Sequence, residues 1–536
     1  MKLRRAALVA ASLVGLLGGC QDFLDVNTNP NAPETVAANL YLPPMLHWMV
    51  SGQHWDGRYT GQYTQNLLQT TRSTYGVMGP NFNTDAAGQQ WRDVYWSFGQ
   101  NLIDMMEIAE REKRWDVLGV GYVLKAWGWQ ALTDLHGDII VKQAFDQTRL
   151  KFDYDDQEFV YGEVRRLLDS AFVYLGRTDG AVDASYLGRG DKIYNGNREK
   201  WLKFAHGLKA INLSHYNNKP GLYDPAAVIA EVDKSLASNA DDALLPYTNT
   251  QNDDINFLGR SRGNFTGYRQ SQFVVSLMDG TVFGAKDPRI SRMLSPSAVT
   301  NPGQATPEQR EAWQYHGLDV NVSGDALTAM PAATRPNNPY GYPASGGVGE
   351  PGLYFFADKV KMPAMTYAQL QFVKAEAAYH AGQKQVALDA YRNGIAAHID
   401  FVNERNKEDG QLPPQITNAE KAAFLADPRV VPTNAADLTL SQIMSQKYIA
   451  QWAWAFNEQW MDMRRYHYTG LDPATGEQVY PGFAPPNVLD TRNKGKFVYR
   501  LRPRYNSEYV WNSEALGKIG GLDEDYHTKP LWILQP

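Results

Sequence analysis

Three stretches of the chain set tryptophan or tyrosine beside side chains with planar hydrogen-bonding groups. His54, Trp55, Asp56 and Arg58 lie in a polar segment punctuated by glycine. Trp91, Arg92 and Asp93 precede Trp96 and Asn101 at a predicted helix start, and Trp313, Tyr315 and His316 are followed by Tyr340 and Tyr342 in a long loop region. An indole or phenol offers a flat apolar face to the C–H face of a sugar ring, while Asn, Asp or Arg satisfies the hydroxyls. Trp55, Trp91, Trp96, Asn101, Trp313, Tyr315, Tyr340 and Tyr342 are therefore the candidate ligand-binding residues. Each has a competing reading: on a helix, as at Trp91 and Trp96, a ring ordinarily packs in the core, whereas Trp313 and Tyr315 in a loop are less committed to it.

Covalent and metal chemistry finds less support. Gly259-Arg260-Ser261-Arg262-Gly263 spells G-x-S-x-G. A nucleophile elbow needs a buried strand before the serine and a helix after it, and neither flank has that character. Asp153, Asp155, Asp156 and Glu158 form an acidic knot without the glycine and spacing of a calcium loop, so a solvated turn is the reading. The ten histidines include no H-E-x-x-H pattern and no helical i, i+4 pair. No spacing singles out two carboxylates as a glycosidase pair. No catalytic residue can be named, and no metal ligand or cofactor is expected.

The amino terminus has the chemistry of an address. Lys2, Arg4 and Arg5 are followed by an apolar run from Ala6 to Leu17, shorter than the roughly 20 residues a span requires. Leu17-Gly18-Gly19-Cys20 resembles the lipobox of bacterial lipoproteins, and Cys20 is the only cysteine of the 536 residues. Residues 1–19 are therefore read as a lipoprotein signal and Cys20 as the lipidation site. Removing the signal takes away Lys2, Arg4 and Arg5 and moves the formal charge from −6 to −9. Such a surface does not itself seek anionic lipid, so the acyl chains must hold the protein at the membrane. The acidic balance also argues against nucleic acid, and a single cysteine excludes a disulfide framework. A hydrophobic fraction of 43% with a mean hydropathy of −0.46 describes a globular chain.

Residues 20–45 are rich in Asn and Pro and read as an extended, lipid-anchored tether. Beyond them, helical periodicity dominates. A helix is predicted around 91–111. Val120, Leu124, Trp127, Ala131 and Leu135 form an apolar stripe, as do Val160, Val164, Leu167, Ala171 and Leu175, and again Ile449, Trp452, Phe456, Trp460 and Met463. Residues 367–399 read as a helical hairpin turning at Ala381-Gly382, in the manner of a tetratricopeptide repeat. Helical pairs fall near 91–135, 159–216, 367–399 and 441–468, without the contiguous period of a regular solenoid. Residues 240–358 and 469–536 are long loop regions rich in Gly, Pro, Asn and aromatics. Length alone suggests several domains, but nothing marks a linker. The expected architecture is mainly α: tetratricopeptide-like hairpins in one large domain, residues 46–536, with long loop insertions and little β.

Ordered segments along this chain resemble the SusD/RagB family of surface lipoproteins. Cys20-Gln21-Asp22-Phe23-Leu24-Asp25-Val26-Asn27 is similar to the family's opening. Asp134-Leu135-His136-Gly137-Asp138-Ile139 matches a family segment that normally continues with proline, where this chain has Ile140. Asp191 to Asn197 and Lys200 to Ala205 match a helix start, and Asp287-Pro288-Arg289-Ile290 a further element. The hairpin from Met365 to Ile395 carries Glu376 at the family's acidic position. Gln446 to Ala450 and Glu458 to Arg465 match the last major helix, and Arg500 to Arg504, Tyr505, Glu508 and Asn512 the closing signature, with Asn506 in place of proline.

The resemblance implies tetratricopeptide-like helices and an outer-membrane lipoprotein facing the cell exterior. It also implies a partner, a SusC-like TonB-dependent transporter, and a nutrient ligand, often an oligosaccharide. In starch-binding members a tryptophan and an asparagine of the early helix bind ligand, and Trp91 and Asn101 are their counterparts here. Two other readings stand beside it: an anchored glycoside hydrolase, and a helical scaffold that binds only proteins.

Overall fold

The computed structural model describes residues 36–299, 302–341, 352–411 and 415–536. The signal segment, Cys20, the first part of the tether and Tyr342 lie outside the described residues. Among the described residues, ten helices of ten or more residues build the frame: α1 (Leu42–Tyr63), α2 (Gly99–Arg111), α3 (Trp115–His136), α4 (Gln157–Gly176), α5 (Arg198–Ser214), α6 (Pro225–Lys234), α7 (Tyr367–His380), α8 (Lys384–Arg405), α9 (Leu440–Gln451) and α10 (Phe456–Arg465).

The apolar stripes explain how the frame stacks. Val120, Leu124, Trp127 and Leu135 on α3 and Val160, Val164, Leu167, Ala171 and Leu175 on α4 are all buried, and the two helices pack together. α5 packs with α6, and α7 with α8. α4 then meets α5 and α6 meets α7, so the hairpins stack side by side as repeat helices do. The predicted turn at Ala381-Gly382 is present, with Gly382 in the left-handed region at φ 70° between α7 and α8. One continuous core runs from Ala38 to Leu501, consistent with a single domain.

Three expectations about elements need correction. Residues 36–45 are not tether: Ala38–Tyr41 form a 3₁₀ turn leading into α1, and Ala38, Leu42 and Met45 are fully buried. The stripe Ile449 to Met463 is buried throughout but belongs to two helices. Ala453 sits at φ 66° between α9 and α10, where the Asn66 carbonyl and side chain accept from Trp452 Nε1 (3.0 Å) and the Ala453 N–H (3.3 Å). The predicted helix over 91–111 is likewise interrupted, in a way that shapes the site below. Strand is confined to two antiparallel ribbons among the described residues. β1 (Leu67–Gln69) pairs with β3 (Tyr268–Gln270), and β2 (Ala243–Tyr247) with β4 (Val360–Met365). The ribbons tie the long loop region to the helical frame.

Segments that carry the family resemblance supply interior polar joints. Asp191 accepts from the N–H groups of Ile193, Tyr194 and Gly196 and from Trp201 Nε1. Arg289 is held by Asp287, by Gln446 of α9 and by His398 of α8. Glu376 of α7 takes a two-pronged pair from Arg465 of α10 (2.5 and 3.0 Å), while Asp462 of α10 bridges Arg465 (2.5 Å) and Lys447 of α9 (2.7 Å), all without solvent. Charges this deep are tolerated only because each has an opposite partner.

Candidate functional site

A cleft is built where the early helix breaks. Gln89–Arg92 is α-helical, Asp93–Phe98 is wound as a π-helix, and α2 starts only at Gly99. Gly99 has φ 38° and ψ −129°, a conformation glycine adopts without a Cβ clash. A π turn holds one residue more than an α turn and recurs at functional sites. Here it swings Tyr95 and Trp96 into the same space as Trp91 and Arg92. A second π-helical turn, Tyr505–Tyr509, brings Ser507 and Glu508 to the cleft from the far end of the chain.

Between them runs the loop that follows α3. The Tyr95 hydroxyl donates to the Ile140 carbonyl (2.7 Å) and accepts from the Ile140 N–H (2.9 Å), pinning the loop to the π turn. Asp155 accepts from the N–H groups of Val141 and Lys142 (both 2.9 Å), so part of the predicted acidic knot fixes this loop. Asp156 caps α4 through the Phe159 N–H (2.8 Å). The loop delivers Phe145 and Phe152, and Phe145 adopts φ 67°, an unfavourable backbone for a bulky side chain and thus one imposed by its surroundings.

The resulting cleft encloses about 640 Å³, within the range of small-ligand sites. Trp91 is buried at its base against Tyr95, His136 and Tyr154. Trp96 leaves 65% of its surface exposed, with the Arg92 guanidinium 4.1 Å from its ring centre. Polar groups converge with these rings: Arg92, Gln100, Asp146, Arg149, Arg504 and Glu508. Glu508 is fixed in place, since its Oε2 accepts from the Tyr154 hydroxyl (2.6 Å) and from Asn512 Nδ2 (2.9 Å). Arg149 pairs with Asp146 (2.9 Å) and Arg504 with Asp85 (2.5 Å).

Two buried carboxylates lie behind this wall. Asp56 on α1 accepts from the N–H groups of Gln89 (3.1 Å) and Gln90 (2.8 Å), and burial pushes its carboxyl up to about 7. Asp93 accepts from Gln89 Nε2 (2.7 Å) and the Ser97 hydroxyl (3.0 Å) and is pushed up by burial to about 8. His136, against Trp91, is lowered by burial to about 3 and is neutral. Deeper still, His215 is hydrogen-bonded on one ring nitrogen to Glu458 (3.1 Å) and on the other to Tyr161 (3.0 Å), with Asp134 at 3.6 Å. Burial alone would lower it, but Glu458 and Asp134 outweigh burial and raise it to about 9. Asp134, His215 and Glu458 could group around a metal ion. A protonated imidazole between two carboxylates already offsets one of their two charges.

Of the sequence candidates, the cleft gathers Trp91 and Trp96. Asn101 is exposed on α2, its amide donating to the Ser97 carbonyl (3.3 Å), while its neighbour Gln100 lines the cleft. Trp55 leaves 36% exposed elsewhere on α1, with the Arg58 guanidinium over its ring and the Phe257 ring tilted against it. His54 and Asp56 are interior. Trp313 is buried with Ala305 and Leu353, and Tyr315 packs at its edge, so these loop rings form a satellite core. Tyr340 is buried, its hydroxyl donating to the Gly259 carbonyl (3.4 Å). Ser261 donates to Asp358 (2.5 Å), a carboxylate partner in place of the imidazole a nucleophile would need. Sequence reasoning missed Tyr95, Phe145, Phe152, Arg504 and the cleft role of Glu508.

A family profile described as starch-binding associating with outer membrane, SusD-like, matches residues 30–485. Among solved structures, the chain is similar to a SusD/RagB family protein from Bacteroides thetaiotaomicron, at 21% identity over 93% of this chain and 99% of that one, TM-score 0.70. It is similar to a chitin-binding protein at 20% identity over 93% and 100%, TM-score 0.69. A SusD homologue from Bacteroides fragilis aligns at 20% identity over 94% and 100%, TM-score 0.69. Likeness at this identity shows the fold. A comparison with curated proteins finds no match.

Proposed function

Since this chain belongs to the SusD-like family of starch-binding proteins associating with the outer membrane, we propose that it captures a glycan in the cleft at the π turn and passes it to a SusC-like TonB-dependent transporter. The observation that carries this reading is the convergence of Trp91, Tyr95, Trp96, Phe145 and Phe152 with fixed hydrogen-bonding groups in one cleft of about 640 Å³. Rings take the apolar faces of sugar units, and the planar guanidinium, amide and carboxylate groups take the hydroxyls. Glu508 is already held by Tyr154 and Asn512, so binding costs little ordering of that acceptor. Capture needs no bond-breaking group, and binding without turnover is the expected behaviour.

No helix among the described residues is long and apolar enough to cross a membrane. Attachment is assigned to acylated Cys20, with the body outside the cell beside the transporter. The test uses lipid-free residues 21–536 and calorimetry with malto- and chito-oligosaccharides. The wild-type protein should bind at least one series and release no new reducing ends. Trp96→Ala should weaken binding at least about tenfold with the melting temperature unchanged, and Glu508→Gln by about tenfold or more. Full-strength binding by Trp96→Ala, or product formation by the wild type, would overturn the reading. In cells, Cys20→Ser should move the protein out of the membrane fraction.

A further inference from the structure

The wall that residues 504–508 give to the cleft continues past it. Trp511, three residues beyond Glu508, leaves 74% of its surface in water, more than Trp96, and Val510 beside it is also exposed. Indoles are ordinarily mostly covered, and adjacent large apolar side chains in solvent mark a contact surface. The backbone that presents Trp511 is held firmly. Asn512 accepts from the Phe152 N–H (3.1 Å), and its amide donates both to the Phe152 carbonyl (2.9 Å) and to Glu508. Lys151 and Glu514 add an ion pair at 3.2 Å. Phe152 lines the cleft, and Leu150, two residues before it, is 92% exposed. Trp511 and Leu150 are thus carried by two segments stitched together at the edge of the cleft.

We propose that Trp511, with Leu150, is an outer stacking platform, so that the ligand is an uncharged oligosaccharide long enough to leave the cleft and run over its rim. This rests on the reading of the cleft as a glycan site. A ligand that ended inside the cleft would gain nothing from an ordered indole outside it. Arg149 pairs with Asp146, Arg504 with Asp85 and Lys151 with Glu514, and the remaining cleft charges, Arg92 and Glu508, are of opposite sign, which favours a neutral chain over an anionic one. A stacking platform tolerates different sugars because any pyranose offers a C–H face, so length should matter here more than identity.

The experiment is calorimetry on lipid-free residues 21–536 with malto- and chito-oligosaccharides from disaccharide to heptasaccharide. Affinity of the wild type should rise with length beyond what fills the cleft. Trp511→Ala should remove that rise, weakening the longest member about tenfold and leaving the shortest unchanged. Trp96→Ala should weaken every length. Trp511 is exposed, so its variant should melt with the wild type, which separates lost contact from lost fold. If Trp511→Ala binds all lengths as the wild type while Trp96→Ala does not, the outer platform is wrong and the cleft stands. If the wild type binds neither series, the cleft reading falls and takes the platform with it. If Trp511→Ala keeps full affinity for long chains but no longer assembles with the transporter, the rim is a protein contact and the proposal is overturned.

Discussion

The side chain of Asp93 is the least comfortable group near the cleft. Its Oδ1 takes two hydrogen bonds, while its Oδ2 faces Gly52, where an added Cβ would stand 2.2 Å away. Burial raises its carboxyl from the usual 3.8 to about 8, so between those values the folded chain holds a proton that the unfolded chain has released. Stability attributable to this group therefore falls as pH rises across that window and is lowest above it. Asp93→Asn keeps an acceptor for Gln89 and Ser97 and removes the charge. Its stability relative to the wild type should climb by up to about 1.4 kcal/mol per pH unit between pH 5 and about 8, then level off, as read by urea denaturation at stepped pH. A flat difference would show that the carboxylate reaches water in the fold. At this level the sequence was legible where chemistry is local: Trp91 and Trp96 stand five residues apart, and the reading that paired them with polar neighbours found one wall. It gave no warning of Phe145 or Phe152, whose alternative as ordinary loop residues is equally good on composition. Trp313 misled because a ring in a polar loop gathers its own small core around itself when Ala305 and Leu353 are at hand.

Helices are placed by close approaches that a side chain would spoil. α1 crosses α10 at Gly57 and Gly61, both against the Phe456 ring, and a Cβ at Gly57 would meet it at 2.3 Å. Gly162 on α4 has nothing within 4 Å of the same position. Gly57→Ala should therefore lose stability, since overpacking of about 1–3 kcal/mol opposes the helix preference of alanine, whereas Gly162→Ala should gain up to about 1 kcal/mol. Equal shifts in urea midpoint would refute the close packing of α1 on α10. Helix stripes were legible for the reason these contacts exist: a buried face repeats every three or four residues. The π turns were not, because the bonds that accompany them, Tyr95 to Ile140 and Asn512 to Phe152, join segments that periodicity treats separately. The break at Ala453 was hidden in the same way, since an apolar stripe continues through it.

Across the whole molecule the first described residues are part of the structure they enter. Ala38, Leu42 and Met45 are fully buried. A chain beginning at Val36 should fold as the full one does, while a chain beginning at Leu46 should lose about 3–6 kcal/mol from Leu42 and Met45 alone, a large part of ordinary domain stability, seen as a lower melting temperature and early proteolysis. Equal melting of the two would place residues 36–45 outside the cooperative unit. The Asn- and Pro-rich composition suggests a tether up to residue 45, yet Pro43 and Pro44 lie in the first turn of α1. Proline at the first turn of a helix is favourable, which is how the same residues serve α1. The single-domain, mainly helical architecture was legible through its stripes and ordered motifs; the joining of the two chain ends at one cleft was not. That joining has a consequence for how the protein comes into being. Ribosomes add about 5–20 residues per second, and domains tend to fold from the leading end. Trp91 and Trp96 are therefore made long before Arg504 and Glu508, and a polypeptide that stops before Arg504 carries one wall of the cleft without the other.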